Sequence, residues 1–181
     1  LRDRYMKQKL EYEAMQRDLQ DDLAEAEDKR NTLKRYFEKV NHEVAVARSG
    51  LDTVKDTQLI EIRGYQKPPD QVRKVLEAVL LVLNEPEAGN WGTMQHYIRQ
   101  PDFIPNIRGV SDISKIEPKS LARIQQITRD PDFTTEKARK ASEACAPLVQ
   151  WVHAMVHFEE VSKSAQGLKD EVERLDAEIS A

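Results

Sequence analysis

Two histidines one helical turn apart, His153 and His157, have the i, i+4 spacing with which a helix can hold a metal ion. A zinc hydrolase of that pattern places a glutamate directly after the first histidine as general base. Here that position is Ala154, and Trp151, Met155 and Phe158 are interleaved. The pair therefore reads as histidines flanking a packed seam. The single cysteine, Cys145, sits in ACAP with no histidine beside it in sequence, and reads as a buried core thiol rather than a nucleophile. No G-x-x-x-x-G-K-[ST] or G-x-G-x-x-G loop is present to cradle phosphates. The residues thus point to no catalytic constellation, no metal set and no cofactor.

The cations are arranged more informatively. Arg73 and Lys74 open one predicted helix, Lys115, Lys119 and Arg123 follow at four-residue steps, and Lys137, Arg139 and Lys140 crowd the start of another. Between Pro68 and Pro147 eleven basic residues face eleven acidic ones, so attraction to an acidic partner must come from clustering, not from net charge. If the three clusters share one face, they can steer and hold an acidic surface. The competing reading is ordinary solvated charge scattered over helices.

Composition narrows the setting in which this occurs. The chain has 181 residues, 33% of them charged and 39% hydrophobic, with a net charge of -4. That is polar for a globule and suits long solvated helices. No apolar run has the length of a membrane span, and the N-terminus is charged from Arg2 onward, so neither a membrane segment nor a signal peptide is expected. One cysteine makes no internal disulfide, which favours a reducing compartment. Overall acidity, with few aromatics among the basic residues, argues against nucleic acid as the partner.

The elements that must carry these residues are marked out by proline. All eight prolines fall between Pro68 and Pro147. Before them, Leu19, Ala26, Leu33, Val40, Ala47 and Val54 alternate with Leu23, Arg30, Phe37, Val44 and Leu51 at steps of four and three, the seam of a left-handed coiled coil. Tyr5 and Tyr12 extend it backward more weakly. Such a helix can run without interruption to Gln66, where Pro68-Pro69 removes two amide donors and stops it. After Pro147 a second seam returns through Leu148, Trp151, Met155 and Phe158, then Val161, Ala165, Leu168, Val172, Leu175 and Ile179. Both seams change phase near the prolines: at Gln58, Leu59 and Ile62 going out, and between Phe158 and Val161 coming back. Such breaks either relax supercoil at the end of a coil or leave two helix pairings close in energy.

The chain is therefore expected to be all-α, an antiparallel coiled-coil stalk capped by a small bundle of short helices. Residues 1–67 form the outgoing helix, 68–147 the tip and 148–181 the return. Pairing counted back from Gln66 covers on the order of 50 Å of rod. It leaves residues 1–33 without a partner in the chain: they overhang, self-associate with another copy through the coil, or await a longer return helix. In the tip, Asp70 to Asn84 places Val72, Val75, Leu76, Val79 and Leu80 on a wide apolar face. Asn90 caps a helix with Trp91 and Met94, a short piece with Phe103 and Ile107 stops at Gly109, and Ser111 to Thr128 gives one or two more. Thr134 or Thr135 caps the helix that becomes the return rod.

From Leu51 to Val161 the chain resembles the stalk tip of dynein heavy chains. The resemblance rests on QLIEIRGYQKPP, VRKVLEAVLLVL, NWGTMQHYIRQPDFIPNI and RDPDFTTEKARKASEACAPLVQWVHAM, in that order around a coiled-coil hairpin. Ala146 stands where glycine is expected and Lys67 where asparagine is common. The resemblance implies a microtubule-binding tip without an ATPase site of its own, working with the remainder of the motor ring. The first tip helix, the helix before the last linker and the start of the last helix would face tubulin. Carried over, the contacts are Arg73 and Lys140, then Lys119 or Arg123, Lys137 and Arg139, with Lys74 from charge alone. In the family, sliding of the stalk register sets tubulin affinity, which would give the phase breaks a purpose. The resemblance further implies a cytoplasmic, cytoskeletal setting, with the axoneme or cilium as the alternative. The short Val110–Lys119 connection favours the cytoplasmic type. A different reading of the same seams is a structural coiled-coil hairpin whose tip binds another protein.

Overall fold

The computed structural model describes residues 1–180, and among them the chain is all helix and loop: α1 (Arg2–Leu51), α2 (Asp56–Arg63), α3 (Asp70–Val82), α4 (Trp91–Arg99), α5 (Phe103–Arg108), α6 (Pro118–Arg129), α7 (Thr135–Ala141) and α8 (Cys145–Ser180). They divide into two compact units, one of residues 1–39 with the chain from Val161 on, the other of residues 40–160.

In the second unit α3 is the central element. Val72, Val75, Leu76, Ala78, Val79 and Leu80 are fully buried, a face too wide for a solvated helix. Around it pack α4, α6 and α7. The helix follows Pro69 directly, so its fixed φ leads into the first turn. It ends in a Schellman motif: Asn84 takes φ 64°, its amide donates to the Leu81 carbonyl, and the Glu85 amide donates to that of Leu80. Asparagine tolerates this left-handed position better than other side chains with a Cβ. Asn90 caps α4 by accepting the Thr93 amide at 3.1 Å, and Thr134 caps α7 by accepting that of Lys137 at 3.2 Å. Trp151, Val152 and Met155 of α8 close the core, with Val44, Ala47 and Leu51 of α1. Within this unit α1 and α8 run antiparallel: Glu43 meets His157, and a Cβ placed on Gly50 would lie 3.9 Å from that of Pro147.

In the first unit the same two helices are joined by Lys29–Glu171 and Arg30–Asp176 ion pairs, with the Lys169 ammonium 4.7 Å from the centre of the Phe37 ring. Ala26, Ala165, Val172 and Leu175 are buried there, while every side chain from Leu1 to Gln20 is exposed.

Three expectations need correction. The outgoing helix ends at Leu51, not Gln66. Its last turn tightens into i→i+3 bonds (Asp52 to Ser49, Thr53 to Gly50, Val54 to Leu51), and the Thr53 hydroxyl also donates to the Gly50 carbonyl at 2.7 Å. Lys55 is extended, its amide donating to Gln58 Oε1 at 3.0 Å, so Gln58 caps a new helix instead of occupying a seam. Secondly, Thr134 caps a separate short helix, because α8 begins only at Cys145. A helix continuous from Thr135 would put Pro147 in its interior, where it loses a hydrogen bond and clashes with the preceding turn; restarting at Cys145 leaves it in a first turn. Thirdly, the unpartnered stretch is shorter than residues 1–33. With α1 ending at Leu51 the return helix reaches further back along it, as the ion pairs of Lys29 and Arg30 show.

Candidate functional site

Apart from Lys115, which lies in the loop before α6, the cationic clusters lie on α3 and on the two helices, α6 and α7, that pack against it. Arg73, in the first turn of α3, is exposed and donates to the Gly89 carbonyl at 3.1 Å. One residue on, Lys74 is one-third exposed and paired with Asp130, the residue that ends α6. That carboxyl is held below its ordinary value by the Lys74 hydrogen bond first and the Asp132 amide second. Asp132 in turn pairs with Lys137. Two ion pairs, linked by the Asp132 amide donating to the Asp130 carboxylate, thus run from α3 across the α6–α7 turn to α7.

Arg123 meets Glu77 of α3 in a fork, Nε to Oε1 at 2.9 Å and Nη2 to Oε2 at 3.2 Å, which pushes the guanidinium further toward its charged form. Arg139 reaches Glu143 at 3.7 Å within the same stretch. Lys119, in the first turn of α6, and Lys140, in the last of α7, are exposed and have no carboxylate partner among the described residues. The seven cations therefore separate by availability. Arg73, Lys119 and Lys140 carry no internal counter-charge, whereas Lys74, Arg123, Lys137 and Arg139 are held by pairs exposed enough to exchange one carboxylate for another. Such pairs contribute only about 0–1 kcal/mol each.

The acids of those pairs were not singled out from sequence. Asp130-Pro131-Asp132 signals a turn, and nothing in the spacing of Glu77 says that Arg123, 46 residues later, will close on it. The other residues of interest are structural. His153 Nε2 donates to the Phe133 carbonyl at 2.7 Å, and His157 Nδ1 lies 2.6 Å from Glu43. No group of metal ligands occurs among the described residues. Cys145 is buried, and burial pushes its thiol up to about 12. Of the phase-break residues, Leu59 and Ile62 are buried on α2, Phe158 packs on the core of the second unit, and α8 continues through Val161 without a break.

Comparison with known proteins gives one consistent answer. The family described as the microtubule-binding stalk of dynein motor matches residues 7–181. The cytoplasmic dynein heavy chain of Saccharomyces cerevisiae is 32% identical over 151 residues, covering 83% of this chain and 4% of that protein. For human dynein axonemal heavy chain 6 the figures are 32% over 119 residues, 66% and 3%. A solved structure titled "Microtubule Binding Domain of DYNEIN-C" superposes with a TM-score of 0.60 at 26% identity, covering 72% of this chain and 91% of that one. The chain thus spans only a few per cent of the length of the heavy chains it matches.

Proposed function

The chain belongs to the family of dynein microtubule-binding stalks, and from that premise we propose that its tip docks on the tubulin lattice through the basic residues of α3, α6 and α7. The matched region is the stalk and not the ATPase motor; on this proposal the chain supplies binding, and hydrolysis belongs to another part of a longer heavy chain. In this reading residues 68–147 are the docking tip, and 1–67 and 148–181 are the outgoing and returning segments. The observation that carries it is the packing of α3 against both α6 and α7, which gathers Arg73, Lys119 and Lys140 on neighbouring helices without internal counter-charge. Around them Lys74, Arg123, Lys137 and Arg139 are cations in exchangeable pairs. The short connection between α5 and α6 supports a cytoplasmic heavy chain, associated with the cytoskeleton. The exposed apolar side chains of the first twenty residues, Tyr5, Tyr12 and Leu19 among them, are a surface for coil-mediated association.

Co-sedimentation with microtubules tests the docking. The chain pellets with the filament, and pelleting weakens with added salt because exposed charge pairs are screened. Charge reversal at Arg73 or Lys140 reduces it with helical content unchanged. A chain that stays in the supernatant at low salt would refute the proposal.

Affinity is further proposed to follow coil register, with two pairings of α1 and α8 separated by a few kcal/mol. The change of element at Leu51–Gln58 gives such a shift a place to be absorbed. Cysteines at Gly50 and Pro147 fall within disulfide reach and lock the pairing seen here. Cysteines at Val46 and Pro147 lock one displaced by half a heptad. The two oxidised proteins should differ in microtubule affinity; equal affinities would remove register from the mechanism.

A further inference from the structure

Where α1 stops and α2 restarts, the chain leaves a groove of about 510 Å³. Its walls come from the turn after Leu51, from α2, from the end of α4 and from α5, all inside residues 40–160. Ile60 is 52% exposed, and with Val46 it is one of two large apolar side chains that this unit leaves exposed. Val54 and Ile104, half-buried, continue the apolar wall. Arg63, Arg99 and Arg108 stand around it with Asp52 and Asp56. Arg108 is taken up by Asp52, whereas Arg63 and Arg99 have no carboxylate partner among the described residues. An exposed branched aliphatic that shares a groove with three arginines and two aspartates, two of the arginines without a carboxylate partner among the described residues, has the composition of a recognition site: arginine and large apolar groups concentrate at binding surfaces.

We propose that this groove is a docking site for a short acidic peptide segment of a partner protein. One apolar side chain of the segment seats between Ile60 and Ile104, and carboxylates on either side of it are held by Arg63 and Arg99. The lining argues for peptide over nucleic acid. Two free cations neutralise too little of a phosphate backbone, and no exposed aromatic ring is offered for a base to stack on. Carboxylates suit guanidinium forks, and a groove of this volume accepts a few side chains.

The test uses the whole chain, isotope-labelled at its amides, and a fluorescein-labelled octapeptide of glutamates around one central leucine. Binding should saturate, with amide shifts concentrated at Ile60, Arg63, Arg99 and Ile104. The double substitution R63Q/R99Q should weaken it by about ten-fold or more, and Ile60→Asp comparably, with circular dichroism unchanged. Lys119→Gln and Lys140→Gln should leave it within about two-fold, since they lie on other helices. Three outcomes would overturn the proposal: no saturation, equal binding by an all-glutamate peptide, or shifts confined to α3, α6 and α7. No filament is present in the measurement, so its result is independent of microtubule docking.

Discussion

Glu77 holds Arg123 by two hydrogen bonds, so a tubulin carboxylate that uses Arg123 must first displace it. Replacing Glu77 by Gln keeps the shape but removes the negative charge. Microtubule affinity should then rise a few-fold at low salt and fall more steeply as salt is added, read by co-sedimentation across a salt series. An unchanged affinity would show that Arg123 makes no contact. Acidity acts on the neighbouring pair. Because Lys74 depresses the Asp130 carboxyl, the unfolded chain binds a proton over a range where the folded chain does not. The stability this contributes is complete above the ordinary carboxylate value, about pH 4, and is lost as pH falls below it through the folded value. Thermal melts of Asp130→Asn should lie below those of the parent at neutral pH and converge with them in acid. Cys145 gives a third prediction at this scale. With its thiol pushed up to about 12 and fully buried, it should resist iodoacetamide in the native protein and react at the rate of a free thiol in denaturant.

The elements are set by their ends as much as by their faces. The Asn90 side chain satisfies one of the amides that α4 would otherwise leave open, so Asn90→Ala should cost about 1 kcal/mol. A shift in the denaturant midpoint with an unchanged slope would measure it. Prolines act where they fall: Pro69 leads α3 into its first turn, and Pro147 forces α8 to begin anew after α7. The break after Leu51 has no proline. It arises from weak helix formers, Ser49, Gly50, Asp52 and Thr53, together with Gln58 turning back to cap the next helix. Periodicity through Val54 gave no warning of it, because apolar spacing reports which face is buried and not whether the backbone stays continuous.

For the chain as a whole, burial is distributed unevenly. The contiguous core lies between Val44 and Val156, while the first unit buries few side chains and residues 1–20 none. Amide exchange should follow that distribution: slowest in α3 and in α8 from Leu148 to Val156, and fast over residues 1–20, whose helical hydrogen bonds no packing protects. Protection of residues 1–20 that grows with protein concentration would instead report coil-mediated association.

Local chemistry was enough to determine the all-helical class, the apolar face of α3, the Asn84 and Asn90 ends, the return seam and the cations, but not where the outgoing seam stops. Each of these follows from side-chain spacing or from donors and acceptors within a few residues. The partners of those cations depended on the tertiary structure. Arg123 with Glu77, Lys74 with Asp130, and the open pair Arg63 and Arg99 are set by which helices pack side by side. That packing is a property of the closed core, and no interval along the chain encodes it.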